Sequence, residues 1–167
     1  MKLDWRNIEG YFLRNDYDVL KKVSEFHSDE FTVLEIGTHY GQSAVAWASL
    51  GAKVHCVDCW DCPWDKENRY SKFLENIEGY DITHQKIPYR EIMTTDMFDG
   101  SNYDVVFYDA CHSYTNTYNM IKYWKNKVDT LVLDDVIMLD VERAISDNNI
   151  NMTTMSFPMT KIGYVRN

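Results

Sequence analysis

Five carboxylates in this chain stand at one kind of place. Glu35, Asp58, Asp109, Asp134 and Asp135 each lie at the carboxyl end of a short apolar run. Three residues beyond Asp109 comes His112, a side chain able to take a proton near neutral pH. Carboxylates at strand ends also cap the helices that follow them. Capping suits one or two of the five and explains less well why nearly every major run ends this way. A second signal surrounds Glu35, in the order Glu35-Ile36-Gly37-Thr38-His39-Tyr40-Gly41-Gln42-Ser43. Gly37 lets the backbone turn where a Cβ would obstruct it. Gly41 lets a ligand or the next helix approach closely. The small residues from Ser43 to Leu50 start a helix whose first amides point at whatever sits over the turn. The stretch is a strand-turn-helix pattern for holding a nucleotide.

The elements that must position these groups follow from hydrophobic periodicity. Strands are expected at Phe31–Ile36, Lys53–Asp58, Ile82–Ile87, Tyr103–Asp109 and Thr130–Asp135. Two more are expected in the tail, at Asn151–Phe157 and Lys161–Arg166. Between them come helices at Ser43–Leu50, Asp65–Ile77, Ser113–Asn126 and Asp140–Asn148, and a weaker one at Ile92–Phe98. Residues Trp5–Phe26 read as one or two helices within an N-terminal helical segment, 1–28. Strands alternating with helices, and continuous apolar strands, imply burial on both faces. The expectation is a Rossmann-like α/β fold: an open, mostly parallel seven-stranded sheet, helices on both faces and an antiparallel last strand. Ligands of such sheets bind beyond the carboxyl ends of the strands, so the five acids converge on one edge.

Bulk properties narrow the partners. The 167 residues are 45% hydrophobic and 14% aromatic, enough for one folded domain spanning 1–167. A net charge of −9 makes the chain a poor partner for nucleic acid or an anionic membrane. No run approaches the roughly 20 apolar residues of a membrane span. Met1-Lys2-Leu3-Asp4-Trp5-Arg6 lacks a signal-peptide core, so a cytoplasmic location is expected. Cys56, Cys59 and Cys62 form a C-x-x-C-x-x-C run, but Cys56 falls inside a predicted buried strand and no second pair follows. Buried or loop thiols are the preferred reading over zinc.

Asp58 lies 21 residues after Gly37 (58 − 37), where a carboxylate can accept from both hydroxyls of a ribose. NAD and S-adenosylmethionine both carry one. Dinucleotide sites favour G-x-G-x-x-G, whereas this turn is E-x-G-x-x-x-G. The middle glycine is missing, and an acid near the turn repels pyrophosphate while suiting the ammonium of a methionine moiety. No phosphate-binding loop of the GxxxxGK type is present.

Here the chain resembles the class I S-adenosylmethionine-dependent methyltransferases, of the small O-methyltransferase-like, methyltransferase domain 24 group. Four stretches carry the likeness: Glu35 through Ser43, Val57-Asp58-Cys59-Trp60, Tyr103 through Asp109 to His112-Ser113-Tyr114, and Leu131-Val132-Leu133-Asp134-Asp135. Glu9-Gly10-Tyr11 sits where relatives have a segment covering the cofactor. The resemblance implies that Glu35, Gly37, Thr38, Gly41 and Ser43 form the methionine and ribose side and that Asp58 binds the ribose. Cys59 and Trp60 flank the ribose or adenine, and Asp109 lies near the reacting methyl. It makes His112 the counterpart of a catalytic base and Asp109, Asp134 and Asp135 counterparts of metal ligands, whose hard oxygens suit Mg²⁺. Relatives carry a glycine and a small polar residue after the third strand, where this chain has Lys86-Ile87-Pro88-Tyr89-Arg90, so its adenine pocket is built differently.

Methyl transfer to a hydroxyl needs an in-line acceptor and a route for its proton. The leading expectation is O-methylation of a small hydroxylated metabolite or sugar, with His112 as base and His39 as a competing base. Three alternatives stay open. A non-catalytic S-adenosylmethionine-binding subunit, completed by a partner or a second copy in a homodimer, fits so short a chain. A nucleic-acid methyltransferase is disfavoured by charge and by the absence of base-flipping motifs. An NAD-dependent oxidoreductase is disfavoured by the turn.

Overall fold

In the computed structural model, residues 2–60, 68–87, 102–155 and 161–167 are described. Seven strands form one sheet: β1 Phe31–Ile36, β2 Ala52–Asp58, β3 Ile82–Lys86, β4 Val105–Tyr108, β5 Thr130–Leu133, β6 Thr153–Thr154 and β7 Gly163–Arg166. Their order is β3-β2-β1-β4-β5-β7-β6. The first five pair in parallel, and β7 runs antiparallel to both β5 and β6. The described helices are α1 Arg14–Ser24, α2 Gln42–Ser49, α3 Arg69–Asn76, α4 Tyr114–Trp124 and α5 Leu139–Asp147. None is long and apolar enough to cross a membrane.

Alternation along the strands sorts the core into two layers. Val33, Val54, Cys56, Val105, Phe107 and Val132 pack with α1, α2 and Phe73 of α3. Leu34, Ile36, Val57, Val106, Tyr108, Leu131 and Leu133 pack with Met120, Ile121 and Trp124 of α4 and Val141 and Ala144 of α5. Side chains on a strand point to opposite faces in turn, so a parallel sheet covered on both sides needs apolar residues at every position. β4 and β5 are buried throughout. On the first face, Trp47 is wholly buried and meets Phe31 and Phe107 edge-on, at 6.1 and 6.3 Å between centroids.

Strand order places the ligand edge. The chain runs outward from β1 to β2 and β3, then returns to β4 on the other side of β1. Between β1 and β4 the direction of winding reverses, which opens a crevice at the strands' carboxyl ends. Backbone bonds carry the register past the strands: Gly37 N–H donates to Val57 O (2.9 Å), Asp109 N–H to Ile36 O (2.8 Å) and Asp134 N–H to Tyr108 O (3.1 Å).

The N-terminal region departs from the helical expectation. A single 3₁₀ turn, Trp5–Asn7, is capped by the Asp4 carboxylate, and α1 starts only at Arg14. The residues between, 8–13, lie in neither a helix nor a strand. A Cβ on Gly10 would lie 2.3 Å from Gln42 Oε1, so a bulkier residue there would require the Gln42 amide to move. The predicted tail strand Asn151–Phe157 reduces to a two-residue pairing at Thr153–Thr154 within its described part. The predicted helix Ile92–Phe98, residues 65–67 of the helix Asp65–Ile77, and Cys62 lie outside the described residues.

Candidate active site

A cleft of about 370 Å³ opens at the carboxyl edge above β1 and β4, within the size range of small-ligand sites. Gly37, Thr38, Ser43, Asp58, Cys59, Asp109, His112, Asp134 and Asp135 all line it. Glu35, Gly41 and Trp60 do not; each supports the cleft from behind.

Glu35 is fully buried beneath the turn. Its Oε1 accepts from Thr38 Oγ1 (3.0 Å) and Ser43 Oγ (2.8 Å), tying the end of β1 to the start of α2. Burial pushes its carboxyl up to about 8, against the pull of the two hydroxyl bonds, because desolvation disfavours the charged form. Gly37 has φ +90°, and a Cβ there would stand 2.1 Å from the Asp109 carbonyl oxygen. The turns after β1 and β4 therefore pack backbone to backbone. Gly41 caps α2 in the left-handed region, with Phe73 directly behind it.

Asp58 organises the turn. Its Oδ2 accepts from the amides of Thr38 (2.7 Å) and His39 (2.8 Å), and its Oδ1 from the amide of Trp60 (2.9 Å). A carboxylate has about four acceptor sites; among the described residues three are committed to the loops, which leaves one on Oδ1 for a ribose hydroxyl. The amides of Thr38 and His39, which in a dinucleotide fold would face a pyrophosphate, already hold a carboxylate. An anion has no place there, whereas a ligand presenting hydrogen-bond donors does. Trp60 is nearly buried. Its Nε1 donates to His39 O (2.7 Å), and its ring packs on Phe73 and Tyr70 at 4.7 and 5.0 Å. It braces the turn from within the core. His39 and Trp60 are themselves left-handed, at φ 52° and 45°, a backbone cost of the kind that collects at binding loops.

The acids after β4 and β5 surround His112. Its Nε2 lies 3.5 Å from Asp109 Oδ1 and its Nδ1 lies 3.4 Å from Asp135 Oδ2. Asp135 reaches this position from a left-handed backbone, φ 51°. Loss of water, and then the like charge of Asp134, raise the Asp109 carboxyl well above the carboxylate range. Because the Asp109 side chain keeps 32% exposure, the neighbouring charge is the firmer of these causes. Protonated, Asp109 is able to donate to Asp134.

Sequence reasoning missed a cation of this cluster. Lys161 Nζ lies 2.7 Å from Asp134 Oδ2 and 3.4 Å from Asp135 Oδ1. Burial alone would lower its pKa; the charge and hydrogen bond of Asp134 overcome that and raise it. Lys161 arrives because β7 returns antiparallel beside β5, with Val136 N–H bonded to Lys161 O (2.9 Å). Gln42 was missed too. Its Oε1 accepts from Phe12 N–H (3.1 Å) and draws Gly10, Tyr11 and Phe12 onto the rim of the cleft. The matching sequence signal was the resemblance of Glu9-Gly10-Tyr11 to a covering segment.

Residues 34–136, well over half of the chain, match the family model of a methyltransferase domain. The chain belongs to that family. It is a class I S-adenosylmethionine-dependent methyltransferase. No curated protein matches the chain in sequence. Solved structures share the fold. A Bacillus cereus O-methyltransferase, solved in complex with S-adenosylhomocysteine, has 14% identity over 97% of this chain and 86% of that one, with TM-score 0.69. A ribosomal protein L11 methylase from Lactobacillus delbrueckii subsp. bulgaricus has 19% identity over 90% and 78%, with TM-score 0.59. A S-adenosylmethionine-dependent methyltransferase from Agrobacterium tumefaciens has 18% identity and TM-score 0.55; the match covers 77% of this chain and 48% of that longer one.

The methyltransferase's residues fit the methyl donor. The glycine turn, the remaining acceptor site on Asp58 and the amide nest closed to phosphate together suit a nucleoside without a pyrophosphate. A divalent metal at this edge would meet Lys161, which already pairs with Asp134. Among the described residues, ligand atoms of Asp109, His112 and Asp134 lie within 4.8 Å of one another, with His112 in the group instead of Asp135. The positive charge beside Asp134 is already supplied by Lys161. Of the described cysteines in the run, Cys56 packs in one core layer and Cys59 in the other.

Proposed function

We propose that this methyltransferase transfers methyl to an oxygen of a small hydroxylated metabolite or sugar. The observation that carries the reading is His112, held between Asp109 and Asp135 on the wall of the donor cleft. S-adenosylmethionine, when bound, supplies a methyl group on a sulfonium that a nucleophile can displace. This chain's own residues then have two tasks. Gly37, Thr38 and Ser43 shape the methionine side, and Asp58 receives a ribose hydroxyl. His112 takes the proton of the acceptor hydroxyl, and Asp135, 3.4 Å from its Nδ1, steadies the imidazolium that forms. A histidine flanked in this way is poised for an O–H acceptor, whose proton must leave as the new bond forms.

The test is a screen of hydroxylated metabolites and sugars with methyl-labelled S-adenosylmethionine. Label appearing on oxygen of a small compound, and lost in His112→Gln while S-adenosylhomocysteine still binds, supports the reading. Label incorporated only into nucleic acid or protein, or transfer that survives in His112→Gln, overturns it.

A further inference from the structure

We propose that Lys161 is the resident cation of the acceptor site: its ammonium stands where a divalent metal would bridge the carboxylates, and keeps one out. The inference rests on the proposed O-methylation for its chemistry, and on three observations for its geometry. Lys161 Nζ is 2.7 Å from Asp134 Oδ2 and 3.4 Å from Asp135 Oδ1, so one ammonium spans both acids after β5. Asp134 is buried, at 3% exposure, and the only ion pair shown for it among the described residues is this one. Lys161 itself lines the cleft.

The two cations would share Asp134, whose Oδ2 Lys161 already holds at 2.7 Å. A Mg²⁺ ion bonded to either oxygen of that carboxylate at about 2.1 Å would lie within roughly 7 Å of the ammonium. Like charges at that distance in a partly desolvated cleft repel, so the ion binds only against the charge of Lys161. His112 Nε2 and Asp134 Oδ1, both buried and without a hydrogen-bond partner among the described residues, mark the place that receives the acceptor's polar group.

The substitution changes which acceptor the site selects. A metal ion chelates two neighbouring oxygens. A lysine ammonium is a compact point charge with three rotatable donors; one bonds Asp134 Oδ2, and the charge also faces Asp135 at 3.4 Å. The acceptor therefore presents a hydroxyl beside Lys161 and His112 and needs no adjacent hydroxyl for chelation.

Mn²⁺ binding, read by electron paramagnetic resonance on the full chain, tests the proposal without donor or acceptor. Its outcome is thus independent of whether the protein methylates oxygen. The wild type should leave Mn²⁺ free at millimolar concentration. Lys161→Ala should create one site per chain, at least tenfold tighter, that Asp134→Asn in the same background removes. Circular dichroism checks that the variants fold; if Lys161→Ala does not, Lys161→Met, which keeps the apolar stem, carries the same comparison. A wild-type Mn²⁺ site that Asp134→Asn abolishes would overturn the proposal, as would a folded Lys161 variant that gains no site. With an acceptor in hand, transfer should be unchanged by chelator and by deletion of a neighbouring hydroxyl. Dependence on either would overturn it.

Discussion

Replacing Glu35 with glutamine should make the stability of this protein less dependent on pH. Glu35 is wholly buried, with one oxygen held by two hydroxyls and the other without a partner. Its carboxyl titrates at about 8 in the folded state against an ordinary 4.5. Below 4.5 both folded and unfolded chains carry the proton. Between 4.5 and about 8 the folded state keeps it and the unfolded state has released it. Stability therefore falls as pH rises through this window and levels off above it. Over the interval from 4.5 to about 8, at about 1.4 kcal/mol per pH unit, the loss is capped at about 5 kcal/mol. Glutamine keeps an acceptor for Thr38 and Ser43 and has nothing to titrate. Urea unfolding followed by tryptophan fluorescence at pH 5, 6.5 and 8 gives the comparison. The wild type should lose stability relative to Glu35→Gln by a few kcal/mol from pH 5 to pH 8. Because Asp109 is raised as well, only this difference isolates Glu35. A difference that does not change with pH would refute the reasoning.

Other substitutions probe the turn and the acceptor side. Gly37→Ala should destabilise by about 2–4 kcal/mol, from a Cβ 2.1 Å from the Asp109 carbonyl oxygen at φ +90°; a change under about 0.5 kcal/mol in chemical denaturation would contradict the packing described. Asp58→Ala removes a charged acceptor worth about 1.5–3 kcal/mol, so calorimetric affinity for S-adenosylhomocysteine should fall at least tenfold, and unchanged affinity would remove Asp58 from the donor site. His112→Gln should lower kcat by about 10²–10⁴ with donor affinity held within about threefold; equal loss of both would make His112 part of the donor site instead.

The parts of the site legible in the sequence were those fixed by strand ends. β1, β2, β4 and β5 were bounded by their apolar runs, and a parallel sheet brings such ends to one edge. That alone placed Asp58, Asp109, Asp134 and Asp135 together. The roles of Glu35 and Trp60 were not legible, because a residue next to a turn can face the ligand or the core and periodicity does not say which. Glu35 went under the turn to meet Ser43, and Trp60 went inward to Phe73. Lys161 was hidden for a different reason. It stands 26 residues beyond Asp135 (161 − 135), and only the antiparallel return of β7 beside β5 sets it against those acids. The irregular course of residues 8–13 is fastened likewise by a tertiary bond from Phe12 to Gln42, which helical spacing cannot report.

The central claim is that Asp58 fills the amide nest of the first turn, so the cleft takes the nucleoside of a methyl donor and refuses a pyrophosphate. Calorimetric titration with S-adenosylhomocysteine, beside a parallel titration with NAD, tests it most directly. One S-adenosylhomocysteine per chain, with no NAD binding at the same concentrations, is the result expected. Binding of NAD with no response to S-adenosylhomocysteine would contradict the account.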